Sequence, residues 1–286
     1  LVQVGAAPVV AKWFFKYRGR AMSLIFFASS AGMIITAPLV QVIISNFGWR
    51  LAWVMLAGNM FIIGVIPCAL LIRRQPEDIG LILDGFEVDE STEDLGEPVI
   101  AETIWSMHQA ISTYSVWAVL GSLFIAAICT SGVGLHLIPY LVQQDISPAA
   151  AVSVISLMAF SGAISAIVLG WISEKFSPRL MLGTVYLLSA ISLMLLLNTT
   201  TLSLAYMFAI LNGIVGTGVN TLAPILWARF YGRGIMGSIY GISRSTQVVG
   251  FAIGPLASGL VYDSFSSYEK ALIWFAALSL VRVGFI

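Results

Sequence analysis

Away from the chain ends, one charge interrupts a long apolar run: Arg244, about eight residues into the stretch 236–261. At 1.5 Å per residue it would sit roughly 12 Å along a helix, too deep for easy snorkelling. A charge buried in a bilayer costs at least about 2.5–3.5 kcal/mol, so this one needs a reason to be there. Tyr240, Gln247 and Phe251 recur at i−4, i+3 and i+7 and share its helix face. In the preceding run Gly213, Gly216, Thr217 and Asn220 make a second small, polar stripe, with Asn220 at a similar depth. A guanidinium meets a carboxylate with two parallel hydrogen bonds and stays charged in any environment. The candidate substrate-binding residues are therefore Arg244, Tyr240, Gln247, Asn220 and Thr217, and the chemistry is capture of an organic anion. In the alternative, Arg244 serves structure only, paired with carbonyls or a carboxylate of other helices, or lining a wet vestibule.

His136 is the only histidine inside an apolar run. Its unperturbed pKa near 6.5 suits a proton relay, although its place about five residues from the run's outer end, beside Pro139, also suits packing. Glu174, Lys175 and Arg179 follow another run, and Arg18 and Arg20 precede the run that begins at Ala21. A carboxylate there would be favoured by the helix dipole and by the arginines in one conformation only, which makes these five residues a candidate cytoplasmic gate. Topology alone also places such bases at that face. Cys68 and Cys129 each lie within apolar runs and read as packing thiols. No Walker loop, nucleophile constellation or metal-ligand pattern appears, so the sequence predicts no enzyme, no ATP-driven pump, no cofactor and no metal.

The elements that must position these groups follow from composition. With 286 residues, 59% hydrophobic, 10% charged and a mean hydropathy of +0.95, the chain is too apolar for a soluble domain, whose charged share is about 25%. Lys+Arg and Asp+Glu balance at 14 each, and no basic run interleaves with aromatics, which excludes nucleic acid as a partner. Seven runs are long enough to cross a bilayer, near 21–45, 50–72, 116–141, 149–172, 180–198, 202–227 and 236–261. Residues 1–11 and 271–286 read as two further runs cut by the chain ends, as in a fragment. Lys12, Lys16, Arg18, Arg20, Arg73, Arg74, Lys175, Arg179, Arg229 and Arg233 fall in alternate breaks, whereas the other breaks hold only Arg50 and Lys270. That alternation puts the first set of loops in the cytoplasm. The polar stretch 73–115 carries the acids from Glu77 to Glu102 and reads as a cytoplasmic linker. Its end places Ile100, Ile104, Met107 and Ile111 at helical spacing, which suits either a short surface helix or a plain tether.

Two segments about 215 residues apart resemble each other. Phe14, Arg18, Gly19, Met22 and Pro38 answer to Phe230, Arg233, Gly234, Met236 and Pro255, which suggests parallel repeats about an axis normal to the membrane. On WFFKYRGRA at 13–21, RRQPEDIGL at 73–81, HQAISTYSVW at 108–117 and GFAIGPLASGLVYD at 250–263, the chain resembles the major facilitator superfamily, in its monocarboxylate-porter-like and oxalate/formate-exchanger-like branch. The family's loop pattern G-x-x-x-D-[RK]-x-G-[RK]-[RK] is met at Gly170, Lys175 and Arg179, with Glu174 a conservative replacement and Ser177 and Pro178 departing. The resemblance implies an all-α membrane protein of the major-facilitator twelve-helix type, truncated here to about seven full and two partial helices. Residues 1–72 would close the N-terminal six-helix bundle, 73–115 link, and 116–286 form the C-terminal bundle. It also implies a buried cation, generally a Lys, on the helix equivalent to 236–261 as the anion's partner.

These readings predict a secondary carrier of a small organic anion, a monocarboxylate or dicarboxylate, working by alternating access with proton symport or anion exchange. It would be a monomer in the plasma membrane, of the bacterial inner-membrane kind, with the lipid bilayer and protons or a counter-anion as its other partners. The alternatives are an exporter of apolar, drug-like compounds, and a membrane sensor or receptor on the same helices.

Overall fold

The computed structural model describes residues 2–73, 76–81, 105–265 and 267–285. Eleven α-helices follow one another among these residues: α1 (Val2–Trp13), α2 (Arg18–Phe47), α3 (Trp49–Asn59), α4 (Ile66–Leu71), α5 (Met107–Ser112), α6 (Tyr114–Gln143), α7 (Pro148–Lys175), α8 (Pro178–Leu197), α9 (Leu202–Tyr231), α10 (Met236–Phe265) and α11 (Glu269–Gly284). Six spans are long and apolar enough to cross a membrane: 49–71, α6, α7, α8, α9 and α10. The 30-residue α2 covers the remaining expected run and starts at Arg18, three residues before the apolar stretch. Among the described residues the elements are all helical, the form that satisfies backbone amides within a segment where lipid offers them no partner.

Local chemistry sets the boundaries. Ser147 and Thr201 accept from the amides of Ala150 and Leu204 and so start α7 and α9, with Pro148 entering α7 where no amide donor is needed. Ser106 and Gln109 form a reciprocal capping box at α5. Gly48 turns the chain between α2 and α3 at φ +82°, and Gly232 ends α9 at φ +69°, a backbone region that suits glycine. Each repeated segment breaks its helix over four residues, 14–17 and 232–235. Between α3 and α4 lies a π-helical turn, Met60–Val65, closed by the Ile66 amide on the Phe61 carbonyl. Pro67 follows at once and supplies no amide to an α-ladder there, a local reason for the shift in hydrogen bonding.

Of the expected linker helix, only Met107–Ser112 is seen, while Ile100, Ile104 and the acids of 82–102 lie outside the described residues. The linker's described ends are held on different elements. Trp13 Nε1 donates to the Arg73 carbonyl at 3.0 Å, and Thr113 Oγ1 lies 2.9 Å from the Tyr231 hydroxyl beneath the edge of Trp105.

The helices pack as pairs, chiefly α6 on α10, α7 on α9 and α2, and α8 on α9 and α11. Glycines set the closest crossings. A Cβ at Gly254 would fall on the Ile128 carbonyl and Ser131 Oγ of α6, and one at Gly170 on Ser23 of α2. Small residues permit this approach, and dispersion between backbones holds helices together where lipid removes the hydrophobic drive. One core cluster gathers Leu123, Tyr186, Leu226, Trp227 and Tyr240, and a second gathers Leu137, Phe208, Phe275 and Leu193.

Candidate functional site

Arg244 is half-buried eight residues into α10, and two side chains converge on one of its nitrogens. Nη1 donates to Gln247 Oε1 at 2.7 Å, one turn along the same helix, and to Asn220 Oδ1 at 3.1 Å, across on α9. The i, i+3 spacing brings Gln247 to Arg244, and the matched depth of the two helices brings Asn220. Behind them the network continues: Gln247 Nε2 reaches Ser243 Oγ at 3.5 Å, and the fully buried Trp227 donates to the same oxygen at 3.3 Å. Three of the five predicted binding residues thus form one hydrogen-bonded group.

Two do not join it. Thr217 Oγ1 fills the space that a Cβ on Gly162 of α7 would need, so the small stripe of α9 divides, with Gly213 and Thr217 packed toward α7 and Asn220 serving α10. Tyr240 is buried to 1% exposure in the core and makes no side-chain hydrogen bond among the described residues. Sequence spacing gives the face of a helix but not which neighbour covers each end of it.

His136 sits elsewhere, with both ring nitrogens engaged. Nε2 lies 3.3 Å from the Pro255 carbonyl and Nδ1 3.2 Å from the Tyr268 hydroxyl. A carbonyl only accepts, so Nε2 carries a hydrogen toward Pro255, and in the neutral ring Nδ1 accepts from Tyr268. Burial, with Tyr262 and Asp263 nearby, pushes the Tyr268 phenol up, which keeps it a donor. Tyr262 stacks on Tyr268 at 4.3 Å between ring centres. The histidine therefore ties α6 to α10 and to the turn before α11.

At the other end, α2 meets α7. Glu174 accepts the Arg20 backbone amide on Oε1 at 3.2 Å and pairs through Oε2 with Arg20 Nε at 3.0 Å. The Arg20 guanidinium also lies over the rings of Tyr17 and Trp171, 5.0 and 5.1 Å from their centres. Gly19 allows the approach, since a Cβ there would meet the Gly170 carbonyl. Arg18 points the other way: Nε and Nη2 donate to the carbonyls of Phe14 and Ala11 at 3.0 and 3.1 Å and close the end of α1. Lys175 is exposed, and Arg179 lies by a small hollow with Tyr114 and Phe230. Of the five predicted gate residues, the structure brings Glu174 and Arg20 together. Beside them opens a cavity of about 400 Å³ lined by Lys16, Arg18, Ser173, Glu174, Arg229 and Phe230.

Arg282 belongs to the run 271–286, in which the sequence predicts no buried charge. It is 1% exposed. Nη2 donates to Ser189 of α8 and Ser279 of α11, both at 2.7 Å, and the guanidinium lies 4.7 Å from the centre of the Tyr186 ring. Its Nε has no hydrogen-bond partner among the described residues. Ser279, one turn before Arg282 on the same face, was the available signal, whereas Ser189 on α8 meets it only in the folded chain.

Comparison with known proteins gives consistent matches. The family model described as Major Facilitator Superfamily matches residues 1–255. Monocarboxylate transporter 12 of Mus musculus is 25% identical over 305 residues, covering 98% of this chain and 62% of that protein. The uncharacterized MFS-type transporter YcxA of Bacillus subtilis (strain 168) is 24% identical over 283 residues, covering 95% and 63%. The 4-hydroxybenzoate transporter PcaK of Pseudomonas aeruginosa is 31% identical over 133 residues, 45% of this chain and 30% of its own. The chain thus spans about three fifths of the length of the first two. Among solved structures, the major facilitator transporter FucP in its outward conformation superposes with a TM-score of 0.69 at 13% identity, covering 99% of this chain and 71% of that one, a likeness of fold.

Proposed function

This chain belongs to the major facilitator superfamily, and on that premise we propose that it is part of a secondary carrier for a small organic anion, a monocarboxylate above all. The observation that carries the reading is Arg244, a half-buried guanidinium about 12 Å into α10 with its Nη1 satisfied by two neutral amide oxygens. A permanent charge at that depth is costly unless an anion uses it, and a carboxylate offers two acceptors in the guanidinium's own plane. The names of relatives agree in chemistry: monocarboxylate transporter 12 and the 4-hydroxybenzoate transporter PcaK are both named for carboxylates.

Alternating access needs a gate that opens and closes, and the Arg20–Glu174 pair supports a closed cytoplasmic side. Rocking of the bundle containing α2 against that containing α7 would break it. Proton symport or exchange against a second anion completes the cycle, in a plasma membrane with the linker on the cytoplasmic side. The test is uptake of lactate, oxalate and benzoate by the whole protein in proteoliposomes, against Arg244→Gln. Loss of hydrogen bonds to a charged group, about 1.5–3 kcal/mol, predicts a fall of roughly 10- to 100-fold in kcat/KM. Unchanged transport in the variant would sink the reading.

A further inference from the structure

The two amides on Arg244 are both held by their nitrogens. Asn220 Nδ2 donates to the Gly216 carbonyl of its own helix at 2.8 Å, and Gln247 Nε2 reaches Ser243 Oγ. With the nitrogens committed, both oxygens turn to the guanidinium, and both choose the same atom, Nη1. That nitrogen has two hydrogens, so an anion that uses Nη1 must displace one of the amides.

The two are unequal. Gln247 bonds at 2.7 Å, is 5% exposed and rides on the helix of Arg244 itself. Asn220 bonds at 3.1 Å, is half-buried and stands on α9 beside Gly216, where a Cβ would meet open space.

We propose that Asn220 is a displaceable stand-in for the cargo's carboxylate. In the empty carrier its Oδ1 occupies Arg244 and ties α9 to α10. An arriving carboxylate takes its place while Gln247 keeps the guanidinium oriented, so that capture of cargo and release of α9 from α10 are one event. A carboxylate wins this exchange because it adds charge–charge attraction to its hydrogen bond with the guanidinium and brings a second acceptor oxygen, whereas the amide brings one neutral oxygen. A carboxamide offers only another neutral oxygen, so the site selects ionised carboxylates over the corresponding amides. This inference rests on the carboxylate reading of Arg244.

Equilibrium binding to the purified whole protein tests it, with lactate, pyruvate, oxalate and benzoate as probes and lactamide and benzamide as neutral counterparts. Asn220→Leu, which keeps the branched shape and loses the acceptor, should bind the preferred carboxylate tighter, by up to about tenfold, because no amide has to leave. Asn220→Asp supplies a built-in carboxylate and should weaken binding at least about tenfold. Arg244→Gln should bind none of the probes. Equal or weaker binding by Asn220→Leu, with Arg244→Gln silent, overturns the stand-in and leaves the Arg244 reading intact, since Asn220 would then either not compete with the cargo or be a direct ligand. Benzamide binding as well as benzoate overturns it too. If no carboxylate binds the parent, or Arg244→Gln binds normally, both readings fall. Should Asn220→Leu not fold, Asn220→Ala removes the same oxygen and carries the same expectation.

Discussion

Glu174 of α7 holds Arg20 of α2 at two points, the backbone amide and the guanidinium, so one carboxylate caps the first turn of one helix while standing at the last turn of another. A carboxylate at a helix N-terminus gains from the amides and the dipole together, and both gains vanish once the helices separate. Arg20 is half exposed to solvent while Glu174 is largely covered, so water screens one side of the pair.

If the pair is the cytoplasmic gate proposed above, Glu174→Gln should loosen it by about 1 kcal/mol, a shift of roughly fivefold toward the state open on that side. A single cysteine placed at Ala228, beside the same cavity, should label that much faster from the cytoplasm in inside-out vesicles. Equal labelling rates would mean that the pair does not bias the gate.

Gly254→Ala should destabilise the protein by about 1–3 kcal/mol, because the new methyl would overlap the Ile128 carbonyl and Ser131 of α6. Gly134→Ala, where a Cβ meets nothing within 4 Å, should be neutral or should raise the thermal midpoint through helix propensity. Melting both variants in the same detergent checks the pair, and similar midpoints would count against close α6–α10 packing.

Ser189→Ala and Ser279→Ala each remove a neutral partner from the buried guanidinium of Arg282. Each should lower stability by about 1–3 kcal/mol, the cost of leaving a buried donor less satisfied. The double variant should fall short of the sum, since both hydroxyls serve one nitrogen. Thermal midpoints of the three proteins decide this, and additive losses would argue that the serines act separately.

His136→Asn should leave the pH profile of uptake where it was, because the ring's two nitrogens are already engaged by Tyr268 and the Pro255 carbonyl. It should instead reduce stability, as the tie between α6 and α10 is lost. A displaced pH profile would instead support His136 as a proton relay.

Much of the frame was legible in the residues. Runs of apolar side chains gave the helices because lipid offers a backbone no other partner, and Lys and Arg in alternate breaks gave an expected sidedness. Arg244 was legible as a deep charge, and Gln247 as its neighbour one turn on. Helix ends were less so: α2 begins at Arg18 because the Tyr17 carbonyl already accepts from Ala21, a bond that needs no apolar residue.

What the sequence determined by itself is the solvent of this protein and the kind of chemistry it holds, because every peptide group or charge placed in hydrocarbon demands a partner, and that demand is set by residue type alone. Only the tertiary structure decided the partners. It turned Arg18 onto the end of α1 while Arg20 crossed to Glu174, sent Thr217 to α7 and Asn220 to Arg244, and enclosed Arg282 against Ser189 and Tyr186. Those outcomes depend on the rotation and crossing of helices, set by where small residues let backbones touch, and a pattern along one helix carries no record of the face that its neighbour presents.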